Sequence, residues 1–237
     1  MNATEIAPGL TIQGFQPPLR LRDFKLIAFD MDSTLINIEC VDEIADAAGR
    51  KAEVAAITEA AMRGEITDFK DSLRRRVALL RGVSVDHLEQ VYRHRLQLNP
   101  GAAELVLACK AAGLKVLLVS GGFTFFAERL RDRLALDFAR SNRLDIEDGH
   151  LTGRLIDQNW GDICDAAEKR RTLLEACDLI GCGPEQAIAM GDGANDLEMM
   201  GAAGLSVAYR AKPKVRAQAH VAIDMGGLDR LLEVVRP

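Results

Sequence analysis

The chain has no surplus of positive charge, no long apolar run and no paired cysteine framework, and each absence removes a class of function. Its 237 residues carry 35 acidic against 30 basic side chains, a formal net charge of −5. Binding to nucleic acid or to an anionic membrane surface needs a basic face, so neither partner is expected. No window approaches the roughly 18 uninterrupted apolar residues of a membrane-spanning helix. The opening MNATEIAPGLTIQGF lacks the basic start and apolar stretch of an export signal. The five cysteines, Cys40, Cys109, Cys164, Cys177 and Cys182, are odd in number and form no Cys-x-x-Cys pair with a matching second half. They read as reduced thiols, and the cytoplasm is the expected location. Internal repeats and low-complexity tracts are also missing.

What is present suffices for a sizeable core, with 48% hydrophobic and 27% charged residues. The expected partner is a small molecule, met by a monomer or homodimer. Strand and helix signals alternate over most of the chain, the pattern of an α/β protein with a parallel sheet and helices on both faces. Expected strands lie at Lys25–Phe29, Leu114–Val119, Ala187–Met190, Leu205–Ala208 and Val221–Ile223. A hairpin is expected around Asp148-Gly149, between alternating flanks.

The stretch from Ser33 to Leu114 is far longer than the roughly 30 residues that a strand–helix–strand unit needs. Its periodicity is helical, with apolar stripes at Val41, Ile44, Ala45 and Ala48, at Val54, Ile57 and Ala61, and at Phe69, Leu73, Val77 and Leu80. The expected division is therefore an N-terminal extension over residues 1–20, a core over 21–37 and 98–237, and an all-helical cap over 38–97.

Four segments carry chemistry. In KLIAFDMDSTLI an apolar strand runs into Asp30 and Asp32, whose repulsion would be relieved by a cation or a shared proton. The plainer reading is a turn in which Ser33 or Thr34 caps a helix. In LKVLLVSGGFTFF a strand is expected to end at Ser120, where Gly121 and Gly122 let the backbone approach a ligand and a hydroxyl joins helix N–H groups in a phosphate cradle. Such turns are also common in any α/β protein. In AIAMGDGANDLEMM, Asp192, Asn195 and Asp196 cluster at another strand end as hard oxygen ligands suited to Mg²⁺. Lys169 could reach in from the head of a helix to pair with phosphate or carboxylate, or be an ordinary surface lysine.

Two cap residues stand out. Arg76 interrupts the apolar stripe of Leu73, Val77 and Leu80; it is either a snorkelling side chain or a two-pronged receptor for a substrate carboxylate. Glu39 is either a solvated acid at a helix start or the partner of a substrate ammonium.

In their order, DMDST, the serine of VSGG, Lys169 and GDGAND resemble the motifs of the haloacid dehalogenase superfamily. Within it the chain is similar to the phosphoserine phosphatase family from about Lys25 onward, through DMDSTLINIECVDEIADAAG, AAMRGEITDFKDSLRRRVALL, VSGGF and GDGANDLEMM. The resemblance implies a Rossmann-like core with an inserted helical cap, and hydrolysis of O-phospho-L-serine to serine and phosphate through an aspartyl-phosphate, the last step of serine biosynthesis. It implies Asp30 as nucleophile, Asp32 as general acid and base, and Ser120 and Lys169 as phosphoryl holders. Asp30, Asp32 and Asp192 would ligate Mg²⁺, with Asp196 behind them. Glu39, Met62, Phe69, Arg76, Gly121, Gly122 and Asn195 would contact substrate. Between Met62 and Phe69 the chain is one residue longer than some members. Its first twenty residues are too short for the regulatory domain that some relatives carry, so no feedback through one is expected.

Three other readings use parts of the same sequence. Cys164 to Arg170 has the bare Cys-x5-Arg spacing of cysteine phosphatases, yet its intervening residues include Asp and Glu and no glycine. A phosphoacceptor receiver domain uses similar groups but has no need of the long cap insertion or of Asp32. A different phosphomonoester, such as phosphoethanolamine, phosphothreonine or a sugar phosphate, would use the same core.

Overall fold

A computed structural model describes residues 3–62 and 65–236. In chain order the strands are β1 (Thr4–Ala7), β2 (Leu10–Ile12), β3 (Leu19–Arg20), β4 (Leu26–Phe29), β5 (Lys115–Phe123), β6 (Phe138–Glu147), β7 (His150–Ile156), β8 (Ala187–Gly191), β9 (Leu205–Tyr209), β10 (Val221–Ile223) and β11 (Val235–Arg236). The α-helices are α1 (Cys40–Ala47), α2 (Lys51–Met62), α3 (Phe69–Ala78), α4 (Val85–His94), α5 (Ala102–Ala111), α6 (Thr124–Leu134), α7 (Ala166–Ile180), α8 (Leu197–Ala202) and α9 (Pro213–Arg216). None of the described helices is long and apolar enough to cross a membrane.

Nine strands form one sheet in the order β1-β2-β10-β9-β8-β4-β5-β6-β7, while β3 pairs with β11. From β10 to β6 every pairing is parallel, and only β1, β2 and β7 run against their neighbours at the edges. This is the Rossmann-like architecture of the haloacid dehalogenase fold. After β4 the chain builds outward through β5 and β6, then crosses to β8 and builds the other way through β9 and β10. The strand order thus reverses at β4, and the crevice beyond the carboxyl ends of the strands at such a reversal is where open α/β sheets bind ligands.

Strands buried on both faces feed two cores. In β4, Ile27 and Phe29 join a large cluster with α5 and α6, while Leu26 and Ala28 join a second with α7 and α8. Successive side chains alternate across the sheet, so β8 likewise sends Ile188 and Met190 one way and Ala187 and Ala189 the other. The alanines admit α7 close to the sheet.

The helices α1 to α4 occupy the long insertion and are tied to the core by contacts that include Glu89 of α4 to Arg129 of α6 at 3.3 Å. At the crossing points the Asn37 N–H donates to the Gln97 carbonyl at 3.0 Å, and the Gln97 N–H to Asn37 Oδ1 at 2.8 Å. The turn after α3 pairs with the β6–β7 hairpin, Gly82 N–H to Leu151 O at 2.7 Å and Leu151 N–H to Val83 O at 2.8 Å. Asp162 receives Lys70 at 2.8 Å and Arg74 at 2.6 Å from α3.

Two features differ from expectation. Within the expected 1–20 extension, residues 4–12 do not stand apart, because β1 and β2 form a hairpin whose second strand pairs antiparallel with β10. The strand expected to end at Ser120 continues to Phe123, with its register against β6 slipping between Val119 and Phe123. Asn142 causes the continuation by donating to the Gly121 carbonyl at 2.7 Å, so the two glycines stay extended and α6 begins only at Thr124.

Leu118 is fully buried between β5's neighbours, whereas Leu107 on α5 is 70% exposed. Leu118→Ala is expected to lower stability by about 2–5 kcal/mol, while Leu107→Ala stays within about 0.5 kcal/mol, as urea unfolding would measure.

Candidate active site

A cavity of about 760 Å³ opens beyond the carboxyl edge of β4, β5 and β8, roofed by α1 and α3. Asp30 follows β4 directly and is 5% exposed. The next five residues, Met31–Leu35, make one wide turn closed by Leu35 N–H to Asp30 O and Ile36 N–H to Met31 O. Ser33 takes φ 58° to make it. The turn brings Asp32 back over the same cavity. Its Oδ2 accepts the Cys40 N–H at 3.2 Å, and its Oδ1 is buried without a partner.

Lys169 lies at the floor. Asp165 caps α7, accepting the Glu168 N–H at 2.9 Å, so Lys169 sits in the first helical turn with its chain directed under β4. It is fully buried, and its ammonium donates to Asp30 Oδ1 at 2.5 Å and Asp196 Oδ1 at 2.6 Å. The surface-lysine reading is excluded. Burial disfavours the ammonium, but Asp196 and Asp30 outweigh it and hold the lysine above its ordinary value.

The carboxylates are crowded and short of counter-charge. Burial, then Asp196, pushes Asp30 well up despite Lys169. Asp192 is raised to about 6 by burial and Asp196, and Asp32 to about 7 by burial and Glu39. Ligand oxygens of Asp30, Asp192 and Asp196 lie within 4.8 Å of one another. Asp196 has little left to give: besides Lys169 it accepts the N–H groups of Asp192 at 3.2 Å and Gly193 at 3.0 Å. Asp192 has given only one oxygen, to the Thr34 hydroxyl at 3.2 Å. The all-oxygen set and its excess negative charge fit a hard divalent cation, with Asp30 and Asp192 free to hold it and Asp196 behind them. The Asp32 carboxylate stands outside this grouping and turns to Cys40.

The β5 segment supplies the opposite wall. Ser120 Oγ accepts the Gly122 N–H at 2.8 Å, leaving its own proton to donate. A Cβ on Gly122 would sit 2.6 Å from Met31 Cε and 3.2 Å from Asp32 Oδ2, and one on Gly121 would sit 2.9 Å from the Phe69 ring. Close approach rather than a turn thus favours glycine here, since a Cβ at Gly122 would press on Ser120 Oγ at 3.0 Å and Asp32 Oδ2 at 3.2 Å even after Met31 Cε gave way.

From the cap side, Glu39, Phe69 and Arg76 line the same cavity, as does Asn195 from below. Glu39 receives the Ser33 hydroxyl at 2.7 Å. Met62 is the last residue of α2, and its side chain is outside the described residues. Cys164 does not serve as a nucleophile: burial pushes its thiol up to about 12.

With this geometry, residues 24–204 match the haloacid dehalogenase-like hydrolases. The phosphoserine phosphatase of Polaromonas sp. (strain JS666 / ATCC BAA-500) is 73% identical over 236 residues, covering 100% of both chains. The chain belongs to the phosphoserine phosphatase family. Among solved structures, a phospho-aspartyl intermediate analogue of phosphoserine phosphatase superposes with a TM-score of 0.82 at 38% identity, covering 90% of this chain and 99% of the other. A substrate-bound phosphoserine phosphatase complex gives the same figures, TM-score 0.82 and 38% identity over 90% and 99%.

Within this phosphoserine phosphatase fold, three supporting residues escaped sequence reasoning. Thr34 holds Asp192. Asn99 donates to the carbonyls of Thr34 and Ile36 at 2.7 and 2.9 Å, bracing the wide turn. Asn142 fixes Gly121 and accepts the Cys164 N–H at 2.8 Å. Only their burial distinguishes them, and two lie in segments that read as loop or hairpin.

Gly122→Ala is expected to lower kcat/KM by at least about tenfold, through displacement of Asp32 and Ser120, with the far-ultraviolet dichroism retained. Asp192 has a folded value near 6 against 3.8 unfolded, so its contribution to stability is full below about pH 4 and lost as pH rises through 6. In chelator, the melting-temperature difference between the parent and Asp192→Asn should therefore fall from pH 4 to 7, and a divalent cation should reverse the fall.

Proposed function

We propose that this chain is a Mg²⁺-dependent phosphatase that hydrolyses O-phospho-L-serine to serine and phosphate, closing serine biosynthesis. The observation that carries the reading is the buried Asp30–Lys169–Asp196 arrangement at the switch point of the sheet, beneath a cap whose arginine and glutamate face the same cavity. The relatives named phosphoserine phosphatase support the substrate.

Asp30 attacks phosphorus and forms an aspartyl-phosphate as the serine oxygen leaves. Asp32 donates the proton that the leaving oxygen needs, then takes one from the water that cleaves the acyl phosphate. Its carboxyl, raised to about 7, is balanced between the two roles. Lys169 steadies Asp30 and the incoming phosphoryl group, and the Ser120 hydroxyl and neighbouring N–H groups hold the other oxygens. Asp30, Asp192 and Asp32 would hold Mg²⁺, which would supply charge opposing the build-up on the phosphoryl oxygens. Arg76 pairs with the substrate carboxylate and Glu39 with its ammonium. Phe69 and Asn195, together with Met62, complete the pocket, and groups left unpaired by a wrong ester reject it. Residues 38–97 act as the cap over the 21–37 and 98–237 core. The five free cysteines support a reducing cytoplasm, where the enzyme works as a monomer or homodimer on a small-molecule substrate.

Phosphate release from L-phosphoserine, measured with Mg²⁺ and with chelator, tests the proposal. Turnover should require the cation, and Asp30→Asn should lose at least about 10⁴-fold. Arg76→Ala should lose about 10²-fold in kcat/KM on phosphoserine and far less on phosphoethanolamine. Preference for a different ester by the parent chain would overturn the substrate assignment and leave the phosphatase chemistry standing.

A further inference from the structure

Asp42, one turn into α1, has no part in the reading above, yet it lines the same cavity as Arg76. An acid at this third helical position ordinarily serves its own helix, folding back onto the N-cap N–H. It does not do so here: Asp42 Oδ1 is buried with no hydrogen-bond partner. On the facing helix α3, Arg76 Nε is also buried with no partner. An orphaned acceptor and an orphaned donor on one cavity wall are complementary, and each costs about 1–3 kcal/mol while unmade.

Charge singles out the same two residues. Burial pulls the Arg76 guanidinium below its ordinary value, and the largest opposing influence is Asp42, ahead of Glu39 and Asp32. Burial lifts the Asp42 carboxyl, and there the first opposing influence is Arg76. The two unpartnered atoms do not bond each other in the structure.

We propose that Asp42 is a positioning residue for Arg76, accepting from Nε so that the terminal nitrogens of the guanidinium are presented to the substrate carboxylate. This rests on the assignment of Arg76 to that carboxylate. An arginine has five donors in a rigid fork, and a two-pronged contact with a carboxylate uses one edge of it. Fixing the remaining donor sets the plane of the fork and reduces the ordering entropy that binding must offset. Asp42 then acts on affinity for substrates that bear a carboxylate, without touching them.

The test is a double-mutant cycle on L-phosphoserine with Mg²⁺ present, using the parent, Asp42→Asn, Arg76→Ala and the double variant, each checked for an unchanged melting profile. Asn keeps the shape and one acceptor oxygen but removes the charge. The expected result is a KM about tenfold higher for Asp42→Asn with kcat within about threefold, and less than about twofold further loss when Arg76 is already alanine. Asp42→Glu, which restores the charge, should recover more than half of the lost kcat/KM. If Asp42→Asn costs as much in the Arg76→Ala background as in the parent, the inference is overturned while the role of Arg76 stands. If Arg76→Ala itself leaves KM unaltered, the carboxylate assignment fails and this inference fails with it.

Discussion

A fully buried ammonium between two carboxylates is the constraint on which the rest of the site depends. Lys169 has no exposure and two anionic partners, Asp30 and Asp196. Removing either partner from such an arrangement leaves an uncompensated charge in a low-dielectric interior, typically at about 3–5 kcal/mol. The surroundings therefore have to deliver three side chains from β4, α7 and the β8 loop to one point. They do so through the alanines that let α7 approach the sheet, the Asp165 cap that starts α7 at the right residue, and the two N–H groups that grip Asp196.

That arrangement stops short of neutrality. One lysine faces Asp30 and Asp196, while Asp192 and Asp32 add further carboxyls whose protonated forms are favoured by burial. Burial and the neighbouring Asp196 push the Asp30 carboxyl up against the pull of Lys169, so negative charge at this point is held at a cost. The deficit is one that a hard divalent cation would offset. Burial and Glu39 lift Asp32 to about 7, a value at which a carboxyl can both give and take a proton near neutrality.

Much of this was legible in the sequence because it is carried by local pattern. Apolar runs that end in acids, Asp30 after LIAF and Asp192 after AIAMG, mark strand ends at a ligand edge, and helical stripes between Ser33 and Leu114 mark the insertion. Less legible was anything decided by contact between distant segments. The hairpin of β1 and β2 reads as an unassigned extension until β10 lies beside it. The glycines after Ser120 read as a turn, and what keeps them extended is Asn142, some twenty residues away on β6. Asn99 looks like part of an Asn-Pro-Gly turn, and its bonds to Thr34 and Ile36 appear only when the wide turn folds back over it. Lys169 is the sharpest case, since nothing in CDAAEKRRTLLEA distinguishes a buried lysine from its exposed neighbours.

The same distinction separates the two halves of the cavity. On the core side Asp32 Oδ1 is the one buried side-chain oxygen without a partner among the described residues, while the Ser120 hydroxyl proton and the second Asp192 oxygen are left for a ligand. On the cap side Arg76 and Asp42 are left with buried, unmade hydrogen bonds. The Asn37–Gln97 contacts, the β6–β7 hairpin, Asp162 and the Glu89–Arg129 pair hold the cap over these groups. Their unmade bonds lie on the wall that a ligand in the cavity would meet. Under the proposed assignment of Arg76, selectivity would follow from a physical asymmetry: an ester lacking the carboxylate would meet the same floor but leave the arginine above it unpaired.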